Sequence, residues 1–196
     1  MNSWCNNLEL LIKSRTTLIW IITKEEERLE KILNFSCERL KIKRYVRWDC
    51  VNGIKGILNE EGKFSNNPLG VLNWLKEQNS ELSTVLLVKD FHKFYEDASI
   101  NRTIKELASA LKETNHNLII SSHLSPSSED LDELMTIINL PLPDQKELKN
   151  LIKNIATNTN SNLNEKDLNE LSLASSGLTE IKLKQVTAKA LAQRGK

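Results

Sequence analysis

Hydrophobic positions along this chain fall into two kinds of run, and the two kinds alternate. Short, almost unbroken apolar stretches occur at Leu18–Ile22 (LIWII), Thr84–Val88 (TVLLV), Asn117–Ser121 (NLIIS) and Thr136–Leu140 (TIINL). Continuous apolarity over so few residues suits strands covered on both faces. Between them, apolar residues recur at helical spacing. Leu8, Leu11 and Ile12 do so within Asn7–Ser14, and Leu29, Ile32, Leu33, Cys37 and Leu40 after Thr23. The same spacing returns at Leu69, Leu72 and Leu75 within Pro68–Gln78, and at Ile104, Leu107, Ala108 and Leu111 within Asn101–Thr114. A further strand is predicted at Arg44–Cys50 (RYVRWDC), where residues alternate; its charges place it at an edge or half exposed. Asn52–Asn67, with Gly53, Gly56 and Gly62, reads as a loop or loose hairpin, and Ser127 or Ser128 as the cap of a short helix through Leu134.

Strands thus alternate with helices five times. That is an α/β pattern: a five-stranded, mostly parallel sheet with helices on both faces. After Pro141-Leu142-Pro143-Asp144 the pattern changes. Gln145–Ala156, Glu165–Ala174 and Thr179–Gln193 are helical with no strand between them, and Thr157–Leu163 (TNTNSNL) is a polar loop. The predicted organisation is an α/β core over 1–144 and a small helical subdomain over 145–196.

Composition narrows the function classes. A chain of 196 residues at 39% hydrophobic and 27% charged residues is long enough to bury a core without disulfides or a structural metal. A formal net charge of +1 removes any global electrostatic case for nucleic acid or a membrane surface. No run approaches the roughly 20 apolar residues of a membrane span. Lys13 and Arg15 precede too short an apolar run for a signal peptide. Cys5, Cys37 and Cys50 are an odd set at irregular spacing, which fits reduced thiols in a cytoplasmic protein rather than a zinc or disulfide framework.

The junction Thr16–Arg28 (TTLIWIITKEEER) carries the first chemical information. A strand runs directly into a helix start with no glycine between them. In a phosphate-binding α/β protein a glycine-rich loop sits here and turns its backbone N–H groups toward the phosphates. This junction offers Glu25, Glu26 and Glu27, which repel phosphate, and the pattern GxxxxGK[ST] occurs nowhere in the chain. Thr23 with Glu26 three residues on predicts a capping box. Both glycines and the lysine in place are missing; Lys24 is present, but next to three glutamates it reads as a solvated helix-start charge.

The layout, together with TLIWIITKEEERLEKIL, VLLVKDFHKF, NLIISSHL, INLPLPDQKEL and, more weakly, GLTEIKLKQVTAKAL, resembles an AAA+ module with a helical lid. It looks most like the degenerate first module of the cyanobacterial and plastid AAA-ATPase family first catalogued as a hypothetical chloroplast open reading frame. The resemblance covers nearly the whole chain, although none of the matching stretches is a catalytic motif. It implies that a second, intact ATPase module follows in full-length members, so this chain is expected to be either a fragment or a stand-alone form. It also implies a non-catalytic, scaffolding or regulatory role, with other AAA+ modules or a protein partner as its contacts and an oligomer as one expected state.

By that resemblance, Lys89 stands in the register of a metal-binding aspartate at the end of the third core strand, and Asp90 in that of the catalytic glutamate. A lysine cannot hold Mg²⁺, so Asp90 is expected to cap a loop or to pair with Lys89 or His92. Ser121, Ser122 and His123 follow the fourth core strand where a γ-phosphate sensor would lie, and a hydrogen-bonded turn is the simpler expectation. Lys24, Asp90 and Ser121 are thus at most remnants of a site. No catalytic residue, cofactor or metal is predicted. His92 and His123 could meet at the shared strand rim, but two histidines without a placed carboxylate or cysteine make a weak metal set. His116 is expected at the surface. The stretch Lys41–Arg47 (KIKRYVR), with Tyr45 and nearby Trp48, is of a kind that binds single strands, but a solvated edge strand whose charges block aggregation is the favoured reading, and a nucleic-acid partner is not expected. Trp4, Trp20 and Trp74 lie on apolar patterns and are expected in the core. Two other readings stay open: a clamp-loader-like subunit acting with DNA replication proteins, and a divergent weak ATPase.

Overall fold

Strand β1 (Leu18–Ile22) shows why its sequence is apolar throughout. In this computed structural model, which describes residues 3–126, 133–159 and 163–194, β1 pairs in parallel with strands on both sides. Its alternate side chains enter two different cores. Leu18 and Trp20 pack into one hydrophobic cluster and Ile19 and Ile21 into the other. Neither face meets water, so no polar position is tolerated.

Along the chain the elements of the first compact unit, residues 1–140, are α1 (Ser3–Lys13), β1, α2 (Glu26–Arg39), β2 (Arg44–Asp49), β3 (Gly53–Lys55), α3 (Pro68–Lys76), β4 (Thr84–Lys89), α4 (Ala98–Ala110), β5 (His116–Ser122) and β6 (Thr136–Asn139). The strand order is β3-β2-β4-β5-β1-β6, parallel except for β3. Leu8 and Ile12 of α1 with Leu29, Leu33 and Cys37 of α2 cover one face. Val71, Leu72, Trp74 and Leu75 of α3 with Ile100, Ile104, Leu107 and Ala108 of α4 cover the other. The core is therefore a three-layer sandwich, α/β/α.

The sheet has six strands rather than five. β3 pairs antiparallel with β2 through Arg47–Lys55, Trp48–Ile54 and Asp49–Gly53. It is too short to display alternation, and it exists because the turn before it is tightly made. The Asp49 carboxylate accepts hydrogen bonds from the backbone N–H groups of Val51 (3.0 Å) and Asn52 (2.7 Å). Gly53 has φ +67°, and a Cβ there would overlap the carbonyl oxygens of Gly62 and Lys63, so only glycine fits. β2 is consequently not the edge strand, since β3 covers it. Its arginines are held by neighbours: Arg44 donates to Gln78 at 2.7 Å and Arg47 to Glu30 at 2.7 Å.

Two local expectations also change. Thr23 and Glu26 do not form a capping box. The Thr23 hydroxyl accepts from the Glu25 N–H at 2.9 Å, and α2 begins at Glu26 with no side-chain cap. His116 is buried at 1% exposure. It opens β5 beside Thr84, and its Nε2 lies 3.5 Å from the Gln78 carbonyl. Trp20 and Trp48 are wholly buried and Trp74 nearly so, while Trp4 is half-buried. The short helix predicted from Ser127 or Ser128 lies mainly outside the described residues.

The second compact unit, residues 141–196, holds α5 (Gln145–Asn158), α6 (Glu165–Ala174) and α7 (Glu180–Arg194). Capping boxes start α5 at Asp144 with Glu147 and α6 at Asn164 with Asp167. Leu148, Ile152, Leu168 and Leu183 form its core. α5 runs two residues into the stretch expected to be a loop, where the Thr157 hydroxyl satisfies the Lys153 carbonyl at 3.0 Å.

Candidate functional site

The C-terminal ends of β1, β4 and β5 lie side by side, and in open α/β sheets this rim is where ligands bind. Ser121 sits in register between Lys89 and Ile21. Lys24, Lys89, Asp90, His92, Ser121, Ser122 and His123 reach this neighbourhood through one of the three strand ends, whereas His116 and the Lys41–Arg47 stretch do not.

At the end of β1 the chain passes into α2 in three residues. The Thr23 N–H donates to the Ser122 carbonyl at 2.7 Å, which fastens the junction to β5. Glu25 is 3% exposed and Arg28 7% exposed, and the two form a 2.9 Å ion pair. Buried charges persist only when paired, so this pair belongs to the structure of the helix start. It occupies the place where a phosphate loop would arch. Lys24 is exposed at the turn.

At the end of β4, Lys89 follows Val85 and Leu87 on the face toward α2. Its ammonium is ion-paired with Glu30, with Glu26 at 3.9 Å. Arg47 reaches Glu30 from β2 at 2.7 Å. One carboxylate thus joins two strand cations to α2. Burial pushes the Glu30 carboxyl up, but the Lys89 and Arg47 contacts outweigh it and hold the group below its ordinary range. Glu26 is shifted the other way, first by burial and then by the negative charge of Asp90, with Lys89 only partly offsetting them. Glu30 was not visible as a site residue in the sequence. Its only signal is its position one turn after Glu26 on the face that carries Leu29 and Leu33.

The residue after Lys89 bends the chain sharply. Asp90 has φ +50°, in the left-handed region that Asp tolerates better than most residues, and its N–H donates to the Ser121 carbonyl at 3.0 Å. A 3₁₀ turn, Phe91–Lys93, follows. Phe91 points into the core against Trp48 and Phe94, with ring centroids 5.8 and 5.7 Å away. His92 is turned toward the end of β5. Its ring stands edge-on to that of His123, with centroids 4.9 Å apart. His92 Nδ1 is 3.9 Å from Asp90 Oδ1, beyond hydrogen-bonding distance. Burial, ahead of neighbouring charges, pushes the His92 pKa down.

Asp90 therefore stands at the N-cap position of the 3₁₀ turn with no side-chain cap hydrogen bond, and lies beside His92 without bonding to it, while Lys89 turns away to α2. Ser122 accepts from the Leu124 N–H at 3.0 Å, as expected of a hydrogen-bonded turn. The Ser121 hydroxyl is buried without a partner among the described residues. His116 lies at the opposite end of β5 from His123. In Lys41–Arg47, Arg44 and Arg47 are engaged, and Trp48 donates its indole N–H to the Phe64 carbonyl at 2.8 Å from a fully buried position. That indole cannot stack on a base. Among the cysteines, Cys37 is buried, and desolvation pushes its thiol up to about 12.

The three-layer architecture is that of AAA+ domains. The chain superposes on the AAA domain of FIGL-1, solved with ADP, at a TM-score of 0.60 with 8% identity, over 90% of this chain and 60% of that one. It superposes on PCH-2 of C. elegans at 0.56 with 11% identity, over 93% and 59%. Domain III of the Thermotoga maritima replication initiation protein DnaA gives 0.54 with 16% identity, over 99% and 84%. These likenesses establish the fold.

The sequence family is narrower. Residues 4–140 match the model of the SpoVK-like AAA ATPase N-terminal domain and residues 146–196 that of the second domain, and the chain belongs to this family. The AAA domain-containing protein ycf46 of Guillardia theta is 30% identical over 190 residues, 97% of this chain and 38% of that protein. The ycf46 protein of Pyropia yezoensis is 31% identical over 191 residues, 97% and 39%. The chain therefore spans well under half the length of these curated relatives. Among the described residues no helix is long and apolar enough to cross a membrane.

Proposed function

We propose that this chain is a nucleotide-incompetent AAA+ module that regulates or scaffolds an ATPase rather than hydrolysing ATP itself. The observation that carries the reading is the ion pair of Lys89 with Glu30. Where an AAA+ ATPase sets carboxylates to hold Mg²⁺, this chain sets a cation, and acidic side chains of α2 neutralise it. The Glu25–Arg28 pair at the helix start adds a second reason: accommodating phosphate there would require breaking a buried salt bridge. On this reading Lys24, Asp90 and Ser121 form no nucleotide site, 1–144 is a core without a phosphate loop, and 145–196 is its helical lid.

A module of this kind acts through its surface. AAA+ proteins work as assemblies in which neighbouring modules bear on one another's active sites, so the contact proposed here is with a hydrolysing module of the same family. The regulatory part is tested by adding the purified chain to the remaining segment of a longer ycf46 relative and following ATP hydrolysis. A saturable change in rate is expected. A rate unaltered at concentrations well above micromolar contradicts a regulatory role.

A further inference from the structure

We propose that Asp90, His92 and His123 form a binding site for a divalent transition-metal ion, with Zn²⁺ the best-matched species. The three residues each offer one ligand atom, and these atoms lie within 4.8 Å of one another. They come from the ends of two adjacent parallel strands, β4 and β5, and the fold fixes both ends. Asp90 is tied to β5 by its N–H bond to the Ser121 carbonyl. The segment around His123 is held on both sides: Leu124 donates to Ser122 Oγ at 3.0 Å and accepts from the Trp20 indole at 2.9 Å.

The state of His92 points to a ligand. Its side chain is 5% exposed, yet neither ring nitrogen has a hydrogen-bond partner among the described residues. A buried imidazole without a partner forfeits the solvation of both nitrogens. A metal ion bound to one nitrogen removes half of that penalty.

Donor chemistry selects the ion. Two imidazoles and one carboxylate suit Zn²⁺ and its first-row neighbours, whereas Mg²⁺ prefers an all-oxygen shell. Zn–N bonds of about 2.0–2.1 Å put tetrahedral donors roughly 3.3 Å apart, so the cluster must draw in from its present spread. The two outer ligands can move. Asp90 and His123 are exposed while His92 is fixed in the interior. Lys93, exposed on the same turn, is a positive charge that opposes the ion. Three protein ligands leave a fourth position for water or for a partner's side chain. Such an ion would clamp the 3₁₀ turn to the end of β5.

The test is calorimetric titration of the metal-free chain with Zn²⁺ and, in parallel, with Mg²⁺, with thermal unfolding as a second readout. One Zn²⁺ per chain is expected, at micromolar affinity or tighter, with a raised Tm and no saturable Mg²⁺ binding. His123→Ala and Asp90→Asn alter exposed side chains and should leave the fold intact. The first should weaken Zn²⁺ at least tenfold and abolish the Tm rise, and the second should weaken binding measurably. His116→Gln and the double variant Cys5→Ser, Cys50→Ser should leave binding unchanged. Absence of saturable Zn²⁺ binding, or binding that neither His123→Ala nor Asp90→Asn weakens, would overturn the proposal.

Discussion

Lys89 at the end of β4 and Glu30 in α2 form an ion pair at the strand rim, with both side chains about four-fifths buried (18% and 20% exposed). The pair closes a bridge from sheet to helix, and Arg47 extends it to β2. Its energetic weight should fall between that of a surface pair, about 0–1 kcal/mol, and a fully buried pair broken on one side, about 3–5 kcal/mol. Lys89→Met is therefore expected to lower stability by about 1–2 kcal/mol, read from the urea midpoint at unchanged m-value. Lys89→Asp sets a third carboxylate against Glu26 and Glu30 and should cost more. A Lys89→Met variant as stable as the parent would remove the bridge from the account.

Glu26 should respond in the opposite sense. Its folded pKa lies above the ordinary carboxylate value, so the fold disfavours its charge relative to the unfolded chain. Glu26→Gln removes that charge and should leave stability at pH 7 unchanged or slightly raised. A capping box built on Glu26 would tolerate Gln but make Glu26→Ala destabilising, so chemical denaturation of the Gln and Ala variants together separates the two descriptions of the helix start.

His116 gives stability a pH dependence. Its folded pKa lies below 6.5, with burial the leading cause. Well above pH 6.5 the ring is neutral in both folded and unfolded states and contributes nothing to the balance. As pH falls through 6.5 the unfolded chain takes up the proton first, and stability is lost until the folded pKa is reached. His116→Gln should flatten that part of the stability–pH curve. Denaturant midpoints measured every half unit from pH 8 to 5 would show it, and parallel curves for variant and parent would contradict it.

Gly53 is the backbone position that makes β3. A methyl group there would overlap the Lys63 and Gly62 carbonyl oxygens, at a φ of +67°. Gly53→Ala should cost about 2 kcal/mol or more, combining the left-handed penalty of about 1–2 kcal/mol with the clash. Gly177, at φ +86°, has nothing within 4 Å of where a methyl group would stand, and carries only the first of these. Gly177→Ala should therefore cost clearly less in the same unfolding assay, although the two glycines lie in different units.

The parts of the fold that could be read in the chain are those whose signal is local. LIWII, TVLLV and NLIIS announce doubly covered strands because each is apolar at both parities, and the core clusters divide them in just that way. β3 was not legible because three residues cannot show a period, and its pairing depends on Asp49 and Gly53 making a turn. The burial of His116 depends on Gln78 and Thr84, which are near it only after folding. The capping-box spacing at Thr23 was real, but the hydroxyl is taken by the nearer Glu25 N–H. At the rim, the meeting of His92 with His123 followed from parallel neighbouring strands. The pairing of Lys89 with Glu30 needed the placement of α2 on that face of the sheet, which no local pattern states.

On the function proposed for it, this AAA+ module does not hold nucleotide. Isothermal titration of the chain with ATP and Mg²⁺, and separately with ADP, tests it directly. No saturable heat is expected at nucleotide concentrations up to the millimolar range, for the parent and for Lys89→Met alike. Saturable binding of either nucleotide at micromolar concentration would contradict it.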